Sequence, residues 1–177
     1  MERMLVVAVA VFGFAVILAS SPVTAQGLAT VRGGGTGTFG ADLDGDGRID
    51  GSQFGVGAIL LGGGKARGHF ECLMAGRSQI LGLSLMAVEG TVREGAMNAD
   101  GSVTLRGVAT VNLGGGLLLR GVPFEVRLEP GGRGVGHLTL TVIGAFDRVP
   151  GDTVPDNGNY DLPKETVASG RISIASS

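Results

Sequence analysis

Several residue types are scarce in this chain of 177 residues, and each scarcity argues against a class of function. There is one cysteine, Cys72, so no intramolecular disulfide can form. There is no tryptophan and a single tyrosine, Tyr160, whereas surfaces that bind sugars by stacking need exposed aromatic rings. The 14 basic and 16 acidic side chains give a net charge of −2. That balance leaves no basic surplus with which to bind nucleic acid or an anionic membrane.

Catalytic side chains are scarce as well. The two histidines, His69 and His137, are too few for a histidine-rich metal centre. Residues 82–86 place Ser84 after a glycine but end on methionine, so they miss the last glycine of the Gly-x-Ser-x-Gly nucleophile turn. No nucleophile and base can be paired from the sequence, so we expect no enzymatic activity and rank a hydrolase as the least favoured function.

Glycine, by contrast, is abundant, with 34 residues against a usual share of about 7%. Hydrophobic residues make up 44% of the chain, which is enough apolar surface to fold. Apolar and polar residues alternate with a period of two in several segments, for example 103–111, 122–128 and 138–142. Turn residues such as those at 98–101 and 129–134 separate these segments. The pattern predicts an all-β fold: a single antiparallel β-sandwich or flattened barrel of about 8–10 strands.

The first residues read as a targeting segment. Residues 5–19 are uninterruptedly apolar, Pro22 breaks the run, and small side chains at Val23 and Ala25 suit a peptidase site. An apolar run of this length is shorter than the about 20 residues of a spanning helix, although an uncleaved anchor is the alternative. We predict a signal peptide at residues 1–25 and one all-β domain at 26–177, secreted or otherwise extracytoplasmic and without stable membrane insertion after cleavage.

Cys72 shares its strand face with Phe70 and Met74, which predicts a buried structural thiol; a reactive thiol is the alternative. His69 precedes it by three residues, so the two side chains are expected to point to opposite faces of a strand. They would therefore not form half of a zinc site.

A loose family resemblance covers most of the domain. It consists of the glycines at 33–35, Gly-His-Phe at 68–70, the strand at 106–111, Pro-Phe-x-Val at 123–126 and a closing Ser-Gly-Arg-Ile-Ser-Ile at 169–174. In this order the chain resembles uncharacterised glycine-rich β modules of secreted bacterial proteins, of the post-COAP type. The resemblance implies secretion and a β fold, and it brings no activity with it.

One segment carries specific chemistry. Residues 42–53 read Asp-Leu-Asp-Gly-Asp-Gly-Arg-Ile-Asp-Gly-Ser-Gln and resemble the calcium loop of EF-hands and dockerin modules. The resemblance implies side-chain ligands at positions 1, 3, 5 and 9, a backbone carbonyl at position 7, and position 12, where Gln53 replaces the usual bidentate glutamate. The candidate metal ligands are Asp42, Asp44, Asp46, Arg48 through its carbonyl, Asp50 and Gln53.

The alternative for this segment is a solvated acidic turn in which Asp-Gly pairs serve geometry alone. Four carboxylates repel one another unless a cation compensates them, and Arg48 supplies only one charge. The bound cation would be structural calcium, which the extracellular medium supplies.

Two functions from different classes remain open. The first is a secreted non-catalytic structural or interaction module with a calcium-stabilised acidic loop and an extracellular partner that the sequence does not name. The second is a small-ligand or carbohydrate-binding β domain, for which Tyr160, in the loop at 147–165, is the one candidate ligand-facing ring. The oligomeric state is left open.

Processing is the first testable prediction. If residues 1–25 are a signal peptide, the exported protein begins at Gln26, and intact-mass measurement shows the loss of the leader. Recovery of a full-length, membrane-integrated form would contradict this.

Overall fold

The structure, a computed structural model, describes residues 28–40, 42, 50–80, 83–113, 117–149 and 151–176, with the backbone alone at 75–80 and 83–85. The described residues form nine strands and no helix. In chain order these are β1 Ala29–Thr38, β2 Gln53–Gly62, β3 Lys65–Ile80, β4 Leu83–Met97, β5 Val103–Asn112, β6 Leu118–Glu129, β7 His137–Val142, β8 Tyr160–Asp161 and β9 Glu165–Ser176.

All nine strands belong to one antiparallel sheet. Strands β1 to β6 follow each other as neighbours in chain order, β7 pairs with β6, and β9 pairs with both β7 and β1. The sheet therefore closes on itself as eight strands, with the two-residue β8 added to the edge of β7. The prediction of an all-β antiparallel fold, a sandwich or flattened barrel, is confirmed.

The closing seam between β7 and β9 is short. Its ladder consists of His137 opposite Thr166 and Leu138 opposite Glu165. The segment after β6 extends the seam, because Gly131 exchanges backbone hydrogen bonds of 3.0 and 2.8 Å with Ile172. The barrel is therefore held by long ladders everywhere except along this line.

The interior is organised in rows of inward-facing residues, as period-two alternation requires. One row can be followed through the pairing register from β9 to β5; it contains Ile172, Gly33, Val56, Phe70, Gly90 and Ala109. The neighbouring inward position on β5, Gly107, begins a second run that continues to Phe124 on β6 and Val142 on β7. The apolar side chains of both runs are buried, so together they form one layer of the core.

Two aromatic rings fill this layer above two glycines. The rings of Phe70 and Phe124 stack with their centroids 5.8 Å apart, although β4 and β5 lie between their strands. They reach each other because Gly90 and Gly107 carry no side chain: a Cβ on Gly90 would lie 2.5 Å from the Phe124 ring. A closed sheet of eight strands has room inside for side chains and little else.

Individual sequence predictions agree with this architecture. The inward faces of β5, β6 and β7 carry the alternating residues that the sequence indicated, and 98–101 forms the turn between β4 and β5. The segment 78–87, whose apolar residues would also suit a short helix, belongs to β3 and β4 where it is described. Within the described part of the chain, no helix has the length and apolarity needed to cross a bilayer.

The glycine beneath the rings gives a stability prediction. Replacing Gly90 by alanine puts a methyl group against the Phe124 ring, which is buried and stacked on Phe70. We expect the free energy of unfolding, measured by urea denaturation, to fall by about 1–3 kcal/mol.

Gly34→Ala is the matched control. It lies on the outer face of β1, where the atom nearest to an added Cβ is the Phe54 carbonyl oxygen, at an ordinary contact distance of 3.5 Å. The control should change stability by less than about 0.5 kcal/mol. Equal losses in the two variants would show that the ring packing is not the cause.

Candidate functional site

Every second connection lies at the same end of the barrel, because neighbouring strands run in opposite directions. The β1–β2, β3–β4 and β5–β6 connections and the long segment from β7 to β9 all leave from this end, which we call the loop end. The acidic segment 42–53 belongs to the β1–β2 connection. Of the predicted calcium ligands, Asp42, Asp50 and Gln53 are among the described residues.

The base of the acidic loop is fixed to the barrel. The Phe39 N–H donates to the Asp50 carbonyl oxygen at 2.9 Å, and the Gly37 N–H donates to the Ser52 carbonyl oxygen at 3.0 Å. Asp42 is exposed, and Asp50 is fully buried. Asp44, Asp46 and Arg48 lie outside the described residues.

Asp50 and Gln53 project to opposite sides of the sheet. Asp50, Ser52 and Phe54 are all buried, so they share the inward face, whereas Gln53 is exposed as the first residue of β2. In the resembled loops position 12 approaches the ion from the start of a helix, while here it already belongs to a strand. The structure thus does not bring these two side chains together.

The sequence analysis missed a buried carboxylate at this end. Glu165, the first residue of β9, is fully buried, and its two carboxylate oxygens accept hydrogen bonds from the Ser52 N–H at 2.6 Å and the Ser52 hydroxyl at 2.8 Å. Gly37 makes room for it, because a Cβ there would lie 2.5 Å from the Glu165 side chain. Burial raises the pKa of Glu165, and the two Ser52 hydrogen bonds partly oppose that rise.

A sequence signal for this carboxylate existed. Glu165 stands two residues before Val167, and the period of two places both on the same, inward face of β9. A charged residue at a position that the alternation assigns to the core is expected to be buried, and a buried charged group needs hydrogen bonds. Glu165 has them from Ser52.

Cys72 is close to this carboxylate. Burial raises the pKa of its thiol to about 12, the negative charge of Glu165 adds to the rise, and a hydrogen bond with Ser52 opposes it. The thiol is buried, and His69 is exposed on the same strand. The predictions that Cys72 is buried and that these two side chains face opposite sides are both confirmed.

The interpretation of Tyr160 as a ligand-facing ring is wrong. Tyr160 pairs with Val142 as part of β8 and has 1% of its surface exposed, so its ring belongs to the core. Burial raises the pKa of its hydroxyl, and the negative charges of Asp152 and Asp50 raise it further. The segment interpreted as a loop contains the two-residue strand β8, and the Tyr160 side chain lies on the inward face of that strand.

The acidic residues of the segment between β7 and β8 are engaged with their own backbone. Asp147 accepts from the N–H groups of Asp156 and Gly158 at 2.9 and 3.2 Å. Asp152 accepts from the N–H groups of Arg148, Val154 and Asp161 at 2.9 to 3.2 Å. These carboxylates stabilise the turns of the segment.

The histidines do not meet in one cleft. His69 lies on β3 and His137 on β7, with β4, β5 and β6 between them in the sheet. The His137 ring makes a hydrogen bond of 3.2 Å with the Thr166 hydroxyl. The Ser84 side chain lies outside the described side chains. Over the residues that the structure describes, no three histidine, cysteine or acidic side chains are arranged to hold a metal ion.

A groove of about 420 Å³ crosses the outer face of strands β1 to β4, near the loop end. Glu71 on β3 and Glu89 on β4 are exposed and stand directly opposite each other in the pairing register. Two residues further along the same strands, Leu73 and Ala87 also stand opposite each other. The groove is thus lined by an acidic row and by a second row, which we call the apolar row, in which Gln53 on β2 stands opposite Leu73.

Comparison with protein-family models, with curated proteins and with solved structures gives no match to this chain. The function must therefore be argued from the residues themselves.

The buried Glu165 carboxyl predicts a specific pH dependence. Because its pKa is higher in the folded than in the unfolded chain, the folded state binds the proton more tightly, and stability falls as the pH rises from the unfolded value of about 4.3 through the folded value. Glu165→Gln removes this titration. We expect urea unfolding to show the variant gaining stability relative to the native protein between pH 4.5 and pH 8.

Glu165→Ala is the companion variant. It leaves the Ser52 N–H and hydroxyl without their buried acceptor and should lower the free energy of unfolding by about 1–3 kcal/mol. Native and glutamine proteins with parallel stability–pH curves would contradict the assigned titration.

Proposed function

We propose that this chain is an exported, non-catalytic structural or interaction module whose acidic loop at the loop end is stabilised by calcium. The observation that carries the proposal is the closure of that loop at its base, where Phe39 and Asp50 are joined by a backbone hydrogen bond of 2.9 Å. Between these two ends, the sequence places Asp42, Asp44 and Asp46 within five consecutive residues.

Charge is the argument for a cation. Asp42, Asp44 and Asp46 alternate with other residues inside the closed segment, and Arg48 is the one basic side chain among them. Confined carboxylates repel each other, and a cation that binds oxygen ligands removes that repulsion. Calcium suits such a loop because it accepts six to eight oxygen ligands in flexible geometry.

The geometry also narrows the proposed ligand set. Asp50 faces the interior and Gln53 faces the outside, so at most one of them can join the loop aspartates and the Arg48 carbonyl. A set without a bidentate carboxylate at position 12 favours weak binding. Weak binding is sufficient for a protein outside the cell, where calcium is abundant.

A non-catalytic role is supported by the way the interior is used. Stacked rings and apolar side chains fill the described core, and the buried carboxylate of Glu165 is hydrogen-bonded to Ser52. The two histidines, the side chains that most often act as general acid or base, lie on separate strands. We therefore place the function on the rim and the outer surface.

The small-ligand or carbohydrate-binding alternative loses its aromatic ring, since Tyr160 is buried. Export and the extracytoplasmic location rest on the apolar run at 5–19 and the peptidase site before Gln26.

A calcium titration tests the loop. Binding to the native state alone stabilises it by about 2.7 kcal/mol when calcium is a hundredfold above its Kd. We expect the Tm to rise with millimolar calcium and to change much less with magnesium, which demands octahedral geometry. The double substitution Asp42→Asn and Asp46→Asn should abolish the rise.

Glu94→Gln is the control for this experiment, because it removes an exposed acidic charge from β4, far from the loop end, and should leave the calcium response intact. A Tm that calcium leaves unmoved relative to sodium chloride of equal ionic strength would refute the metal site.

A further inference from the structure

The charges on the outer face of the barrel are arranged in two different ways. Over β5 and β6 they alternate in sign: Arg106 contacts Glu125 at 2.6 Å, and Arg127 contacts Asp100. Over β3 and β4, Glu71 faces Glu89 directly, and neither makes an ion pair with any described residue. Like charges opposite each other destabilise a sheet.

The surroundings of this glutamate pair are open. Following the register from Glu71 towards β1, the next outward positions are Gly55 and Gly34, and the row ends at Arg171 on β9. The Glu71 side chain lies over Gly55, where a Cβ would come within 2.5 Å of its carboxylate oxygen. The missing side chain of Gly55 therefore lets the Glu71 carboxylate lie along the outer face of β2.

The acidic and apolar rows of the groove have a matching spacing. Glu71 and Leu73 are two residues apart on β3, as are Glu89 and Ala87 on β4, so each pair lies on one face about 7 Å apart. An extended polypeptide that runs along the strands presents its own residues i and i+2 at the same spacing. A cationic side chain at i and an apolar one at i+2 would complement both rows.

We propose that this groove docks an extended segment of another protein that carries a lysine or arginine two residues from an apolar side chain. The charge of Glu71 and Glu89, which forms no ion pair with a described residue, selects the cationic side chain, and Leu73 with Ala87 contacts the apolar one. This names the partner class for the interaction role in the proposed function, on which it rests.

The test is a peptide titration in which the amide chemical shifts of the protein are recorded. The protein is purified from cells that express the full chain. The probe is the capped pentapeptide Thr-Lys-Thr-Leu-Thr; its isomer Thr-Lys-Leu-Thr-Thr has the same charge but places the two side chains on opposite faces. We expect the first peptide to shift residues 71–73 and 87–89 and to bind more tightly than the isomer.

Matched variants separate the groove from general electrostatics. Glu71→Gln and Glu89→Gln should each weaken binding about tenfold, because a charge-assisted hydrogen bond is lost. Glu94→Gln removes the same charge from an exposed site on β4 outside the groove and should leave binding unchanged. Removing one of two opposed charges should also raise the Tm of the groove variants, which shows that they remain folded.

Other outcomes would overturn the proposal. These are equal binding of the two peptides, equal weakening by Glu94→Gln, shifts confined to other strands, or no shift at millimolar peptide. Self-association abolished by Glu89→Gln would replace the proposed partner with a second copy of this chain. If the peptide does not bind but calcium still raises the Tm, the docking role of the groove is refuted and the proposed calcium-stabilised loop is retained.

Discussion

The contact on which this barrel depends is the stack of Phe70 on Phe124 across β4 and β5, whose residues directly opposite the two rings, Gly90 and Gly107, have no side chain. Eight strands enclose a space that a few large side chains can fill, and here two rings from β3 and β6 meet in the middle of it. Gly90 is the condition for that meeting, since a Cβ there would lie 2.5 Å from the Phe124 ring, whereas a Cβ on Gly107 would first meet the Thr91 carbonyl oxygen and lie 3.1 Å from the ring. Because the described core is filled in this way, we place the proposed function on the rim and the outer surface.

Closure requires a different interaction at the seam, where the ladder between β7 and β9 has only two residue pairs. At this point the structure buries Glu165 and joins it to Ser52 by two hydrogen bonds, so that the start of β9 is tied to the start of β2 across β1. Burying a carboxyl group costs folding free energy unless the group is hydrogen-bonded. The two hydrogen bonds that satisfy Glu165 therefore favour one defined position for the start of β9. The contact positions the strand that closes the barrel and, through Ser52, the base of the acidic loop.

Sequence reasoning succeeded where the alternation within one strand is sufficient, and it failed where contacts between distant segments determine the structure. Alternation identified the inward faces of β5, β6 and β7 and the burial of Cys72, because the period of two belongs to a single strand. It could not predict closure, because the pairing of β9 with β7 depends on the curvature of the whole sheet. Tyr160 was assigned to a loop because a strand of two residues has no detectable period. For Gln53, the loop resemblance implied a ligand at position 12, whereas the structure makes this residue the exposed first residue of β2.

The abundant glycine acquires a physical meaning once both faces of the sheet are considered. Neighbouring positions on β1 show it: Gly33 belongs to the inner row with Phe70, while Gly34 belongs to the outer row with Glu71. On the inside, the missing side chain of Gly90 admits the aromatic rings; on the outside, that of Gly55 leaves room for the Glu71 carboxylate. Tight packing accounts for the inner glycines, but it gives no reason for two glutamates to face each other without an ion pair to any described residue. That arrangement costs stability, and a cationic partner would offset the cost.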